Sequence, residues 1–339
     1  MTSPSTDAAS LTDRVANIAA GAPVVFATFL GRDPGFALAD GTILIAGVGA
    51  ETRVAPHPDA AILCAASDGA RLLTGGDDGR VVATDASGAM ENVAREKSWI
   101  DALAARGDGA LAWSSGRAVT ARDARGDTKT LATPSSVRGL AFFPKGYRLA
   151  ASHYNGATLW FPNIAGEPDS VTWKGSHLDC TISPDGKYVV TSMQENALHG
   201  WRLADKKDMR MTGYPAKTRS FSWSHDGLWL ATSGAEAAIV WPFAGKDGPM
   251  GKPPRECGVR PVRVTAVAFH PEALIVAIGY ADGWILLVRL TDASELLVRR
   301  TGAEDKAKAI ASMAWDANGK RLVFGADDGA AGVLSLPTK

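Results

Sequence analysis

Between Asp179 and Leu203 the chain reads "DCTIS", "PDG", "KYVVTS", "MQEN", "ALHGWRL". Short apolar runs rich in Val and Ile are separated by Pro, Asp, Gly and Asn. Their length and β-branched content favour strands over helices. The turn residues suit tight hairpins, which need positive φ at one or two positions. The same plan returns in "AFFPKGYRLAAS" at 141–152, "SWSHDGLWLATS" at 222–233, "AFHPEALIVAIG" at 268–279 and "AWDANGKRLVFG" at 314–325. The second residues of these stretches, Phe142, Ile182, Trp223, Phe269 and Trp315, are spaced by 40, 41, 46 and 46 residues. Shorter copies occupy 64–85, 103–123 and 26–46, so eight units follow one another.

Each unit parses into three strands, with a fourth, more polar strand before the next. In the first half of the chain that outer strand has its own ruler. Val15, Val54 and Val93 are each 39 residues apart, in "DRVANI", "TRVAPH" and "ENVARE". The N-terminal segment thus reads as an outer strand without its first three. The last unit, ending "GVLSLPTK", reads as three strands without an outer one. A sheet of about forty residues cannot bury both faces alone, but a closed ring of such sheets can. The expected fold is therefore all-β: a single β-propeller of eight four-stranded blades, closed by the N-terminal strand joining the C-terminal blade. The alternative is seven blades, with the degraded first unit left out. Residues 1–11 are expected to be a disordered tail and 12–337 the propeller domain.

The period, the "SPDG" turn, the small residues ending strand two and the Asp-Gly before strand three resemble the WD40-repeat family, in its degenerate, stand-alone bacterial type. The likeness runs over about residues 12–337 and is clearest in units 2, 4, 5, 7 and 8. The family's Trp-Asp ending is eroded: Phe161, Arg202 and Pro242 follow Trp160, Trp201 and Trp241. Of its His-Ser/Thr-Asp-Trp hydrogen-bond tetrad, unit 2 offers His57, Thr74 and Asp78, but Thr84 stands where the Trp belongs. Hydrophobic packing, more than tetrads, is expected to hold most blades. The resemblance implies a rigid ring whose loop face binds other proteins.

Composition narrows the partners. Lys plus Arg and Asp plus Glu are 36 each, so no overall charge draws the chain to nucleic acid or anionic lipid. No apolar run approaches the length of a membrane span. The first twenty residues lack the basic start and apolar core of a secretory signal. Three scattered cysteines, Cys64, Cys180 and Cys257, form no disulfide framework, and a cytoplasmic location is expected.

Catalytic chemistry finds little support. The six histidines form no HxxxH, and neither GxSxG nor a phosphate-cradling GxxxxGK[ST] occurs. Cys64 and Cys180 share one slot in two repeats, which marks a structural position. Strand one, expected to line the axis, reads Ala, Thr, Phe, Cys, Ser and Trp, with few convergent polar groups. No enzyme activity, cofactor or metal is expected. The expected role is a non-catalytic scaffold for other proteins or a multiprotein complex. The alternative is a small-ligand or metal-binding propeller, conceivably enzymatic, using the central channel. Contact residues would lie on the loops entering strand one and the turns between strands two and three: Trp99, Arg138, Tyr154, His177, Gln194, Arg219 and Tyr280. Two basic stretches, 202–219 with six cations against two acids and 246–263 with five against two, mark units 5 and 6 as a sector that could receive an acidic partner.

Overall fold

The computed structural model describes residues 10–47, 49–302 and 308–337. Among them are thirty strands and one short 3-10 helix, Thr12–Arg14. The fold is a single all-β propeller. Residues 1–9 of the expected tail lie outside the described residues. Ser10 and Leu11 are tied to Leu297, with the Leu11 amide 2.7 Å from its carbonyl oxygen.

The ring closes as the outer-strand ruler implies. Val15–Ala19 pairs antiparallel with Ala330–Ser335, in a register running from Val15 opposite Leu334 to Ala19 opposite Ala330. The last sheet thus takes Ile310–Trp315, Arg321–Ala326 and Ala330–Ser335 from the C-terminus and one strand from the N-terminus.

Alternation along these strands sends successive side chains to opposite neighbours. Ile310, Leu322 and Phe324 pack with Ala266, Ile285 and Val298 of unit 7. Val323, Ala331 and Val333, on the other face, pack with Val24, Phe29 and Phe36 of unit 1. Full burial of each large side chain contributes roughly 1.5–3 kcal/mol.

The small residues ending strand two now have a reason. A side chain at Gly75, Gly279 or Gly325 would overlap the large residue entering strand one of the following unit. The distances are 2.6 Å to Ile100 Cγ2, 2.7 Å to Ile310 Cβ and 2.4 Å to Val24 Cγ1. Each junction is a knob of the next sheet seated where this one has no Cβ.

The strands form seven hydrogen-bonded sheets, six of four strands and one of six. Eight separate four-stranded sheets are therefore not what forms. The count of seven matches the alternative, though not through loss of the first unit. That unit builds a complete sheet from Val24–Leu30, Asp33–Leu38, Ile43–Gly47 and Ala50–Val54. Units 4 and 5 are instead continuous. Leu149–Trp160 and Asp169–Ile182 are long strands that bend rather than break. Their bends hold Gly156 at φ 143° and Gly175 at φ 135°, in the positive-φ range that favours glycine. The register shifts beside each, between Tyr154 and Gly156 and between His177 and Cys180.

Apolar packing is joined by more buried polar linkage than the sequence suggests. In unit 2, His57 Nδ1 is 3.0 Å from Asp78 Oδ1 and Nε2 is 2.9 Å from Thr74 Oγ1, while buried Thr84 Oγ1 has no partner. Unit 5 joins His177 to Thr191 at 2.7 Å. Unit 6 uses a tyrosine instead: the Trp241 indole N–H donates to Tyr214 Oη at 2.7 Å, and that hydroxyl lies 2.6 Å from Thr232 Oγ1. The three tetrad members that unit 2 offers thus come together, and the linkages of units 5 and 6 stand beside the apolar packing.

The Gly325 junction locks the last sheet onto the first. Gly325→Ala should destabilise the fold by about 1–3 kcal/mol through overpacking. Val24→Ala in the same chain should recover part of that loss. A double-mutant cycle from denaturant unfolding measures the coupling; strictly additive effects would reject the docking.

Candidate functional site

The innermost strands start on one face of the ring, and a β-bulge recurs at that start. The pairing jumps from Val24 to Phe26, from Ile62 to Cys64 and from Ile310 to Ser312. A bulge leaves one residue unpaired and re-aims its side chain. The skipped residues Val25, Leu63 and Ala311 all line a central cavity of about 420 Å³.

Units 3 to 6 bring charges to the same cavity: Asp101, Arg138, Asp179 and Arg219. They alternate in sign around the ring, facing an apolar arc from units 8, 1 and 2. Asp101 is anchored by the Gly116 amide at 2.7 Å and by Arg138 Nη1 at 3.4 Å. Burial raises the pKa of Asp179, and the fields of Arg219 and Arg138 oppose that rise. Strand one does not, after all, leave the axis without convergent polar groups.

Cys64 and Cys180 line the same cavity. Burial pushes both thiols up to about 12, so neither is a thiolate near neutral pH. All three cysteines are free. Among the described residues no group of three or more His, Cys, Asp or Glu is placed to hold a metal ion. Also among the described residues, no helix is long and apolar enough to cross a membrane.

The seven residues singled out from the sequence separate into two groups. Trp99 and Tyr154 are 58% and 54% exposed. Gln194 is exposed on its turn, with its amide bonded to the Ser176 carbonyl at 3.0 Å. Arg138 and Arg219 reach the channel. His177 and Tyr280 are interior and do not belong to the face. His177 is held between Thr191 and the Trp173 carbonyl. Tyr280 is fully buried, donates its hydroxyl to the Gly258 carbonyl and lies under the Arg260 guanidinium. Replacing it would damage the core.

Other residues join the face. Trp173 lines a shallow depression with Tyr154, Asn155, Thr172 and Lys174, and its ring stacks on His199 with centroids 4.2 Å apart. A further cavity of about 440 Å³ borders the channel; Arg219 lines both, and Lys217 and Arg263 line this second one. The signal for Asp101 and Asp179 was present in the spacing. Asp101, Arg138, Asp179 and Arg219 follow at steps of 37, 41 and 40 residues, just ahead of the triplets that define the repeat.

No family model matches the chain, and no curated protein matches it either. Among solved structures it is similar to the crystal structure of the computationally designed Ika8 protein. The TM-score is 0.77 at 17% identity, over 93% of this chain and 96% of that one. At that identity the likeness establishes the fold alone.

His199 gives this sector a pH dependence. Its side chain is fully buried, Nδ1 has no hydrogen-bond partner, and Nε2 lies 3.5 Å from Asp208 Oδ2 without making a hydrogen bond. Burial lowers its pKa from 6.5 to about 4, against the opposing field of Asp208. The unfolded chain therefore takes up a proton below about 6.5, whereas the folded chain does so only near 4. Stability should fall by roughly 2 kcal/mol as pH drops through that window. His199→Phe, which keeps a ring against Trp173, should flatten the slope between pH 6.5 and 4 in denaturant titrations. An unchanged slope would reject this assignment.

Proposed function

We propose that this chain is a non-catalytic scaffold that binds another protein, or a component of a multiprotein complex, through the face on which strand one begins. The observation that carries this reading is the exposure of Trp99, just ahead of channel-lining Asp101, and of Tyr154, at the bend of strand Leu149–Trp160. Trp and Tyr side chains left in water match the residue types that dominate binding hot spots. A rigid ring holds such residues in fixed positions, which limits the ordering cost of association.

We also propose that the ring is a divergent WD40-type propeller of eight repeats. The linkage from His57 to Asp78 and Thr74 supports the first part. Strand Asp169–Ile182 supports the second. Its first half is paired as the outer strand of unit 4 and its second half as the inner strand of unit 5. Three unbonded thiols favour a reducing compartment, and we place the chain in the cytoplasm. A second reading, a small ligand held in the channel, is favoured by the alternating charges of Asp101, Arg138, Asp179 and Arg219 around a space of about 420 Å³.

The scaffold reading is tested by affinity capture with the double variant Trp99→Ala/Tyr154→Ala. Both side chains are exposed, so the unfolding midpoint should stay within about 0.5 kcal/mol of the parent. Partners recovered by the parent chain and identified by mass spectrometry should be lost or depleted at least severalfold. Full recovery by a folded variant would reject this face as the docking surface.

A further inference from the structure

The basic sector of units 5 and 6 has two parts with different electrostatics. Away from the channel, four of its cations are already neutralised. Arg202 pairs with Asp205 and Asp247, Lys207 with Asp247, and Lys206 with Asp169. Arg260 makes a two-pronged pair with Asp282, at 3.1 and 2.8 Å. Next to the channel three cations stand together without such pairs. Lys217, Arg219 and Arg263 line one cavity of about 440 Å³ whose other lining residues include no acid. Among the described residues none of the three has an ion pair.

We infer that this off-axis cavity, between the loops entering units 6 and 7, is a docking site for an acidic peptide segment, its carboxylates meeting Lys217, Arg219 and Arg263. This deepens the scaffold reading above and rests on it. Like charges gathered with no acid in their own cavity repel one another, and a segment bringing several carboxylates relieves that repulsion.

The remaining polar groups of the cavity point to a peptide rather than a compact oxyanion. A phosphate-type site is built from free backbone N–H groups in a nest or at a helix start. Here the Ala216 amide donates to the Gly234 carbonyl, and the Gly234 amide donates to the Val264 carbonyl. Ser233 Oγ receives the amides of Arg219 and Ser220, at 3.2 and 3.1 Å. Thr265 donates to the Ile310 carbonyl at 2.7 Å. Asn196 Nδ2 donates to the Pro215 carbonyl at 3.3 Å. Recognition is left to three long cationic side chains carried by two separate loops, which suits carboxylates spaced along a chain. The neighbouring channel fixes a direction. Arg219 belongs to both cavities, and Asp179 stands beyond it in the channel. The acidic residues should therefore lie over Lys217 and Arg263, with a neutral or basic residue leading toward Asp179.

The test uses the full chain and a fluorescent, end-blocked peptide of alternating Glu and Gly, read by anisotropy, with the Gln-for-Glu peptide as control. The Glu peptide should bind and weaken as ionic strength rises. The double variant Lys217→Gln/Arg263→Gln, which keeps much of the side-chain bulk, should weaken it between about three- and thirtyfold, as expected for two solvent-facing pairs. Lys206→Gln/Lys207→Gln on the outer edge should change affinity by less than about twofold. Equal binding of the Gln peptide, unchanged affinity in the Lys217/Arg263 double variant, or stronger binding of inorganic phosphate or a single-stranded oligonucleotide at the same cavity would overturn the proposal. Trp99→Ala/Tyr154→Ala separates the two readings. If it abolishes partner capture while the Glu peptide never binds, the scaffold reading stands and the acidic-segment site falls.

Discussion

Every sheet in this molecule is apolar on both faces, and that one constraint forces the rest. A strand whose alternate residues are both buried has no stable place in an isolated sheet. Phe324 and Val323 are adjacent in sequence, yet one packs toward unit 7 and the other toward unit 1. The chain satisfies both only by continuing until the last sheet meets the first. Closure by Val15–Ala19 then removes the edge that Ala330–Ser335 would otherwise present to solvent.

The same packing creates the functional face. Neighbouring sheets approach closely at their inner ends because Gly75, Gly279 and Gly325 make room for the residue entering the next strand one. In units 1, 2 and 8 that entry carries a bulge, and the skipped residue lines the channel. The inner ring is thus a set of positions whose backbone is fixed by packing while its side chains are left free to vary. In this chain half of that ring carries Asp101, Arg138, Asp179 and Arg219, and the rest is mainly apolar. Charge at the mouth therefore costs the core little. The buried linkages of His57, His177 and Tyr214 lie one layer deeper and hold the entering loops in place.

Much of the architecture was legible because a repeat broadcasts its own period. The thirty-nine-residue ruler located Val15 as a closing strand three hundred residues from its partner. What the period could not show was direction and continuity. Asp101 and Asp179 sit just before the apolar triplets, and their inward direction depends on the Gly116 amide for the first and on the register shift between His177 and Cys180 for the second. Tyr280 ends the apolar run "IVAIGY", and its burial depends on the Gly258 carbonyl that receives its hydroxyl, a contact with no local signature. His177 was placed on the face for its position before strand one, but the Trp173 carbonyl and Thr191 draw it inside. The union of units 4 and 5 has no signature in the period either. The positive φ of Gly175 allows one strand to serve two neighbours.

The distribution of cations follows from how the two surfaces of a propeller differ. Outer strands are sheet edges, and charge there blocks pairing with another chain. Such charge can be neutralised locally, as by Asp169, Asp205 and Asp247, because repelling other strands requires only polarity. Loops around the channel have no edge to protect. Unpaired charge there, as at Lys217, Arg219 and Arg263, serves no evident purpose in holding the sheets together. A cation retained without a partner at a place where the fold gains nothing from it is better explained by something that arrives from solution. The gathering of Lys217, Arg219 and Arg263 at one cavity is a local excess of positive charge that net charge, which sums to zero over the chain, conceals.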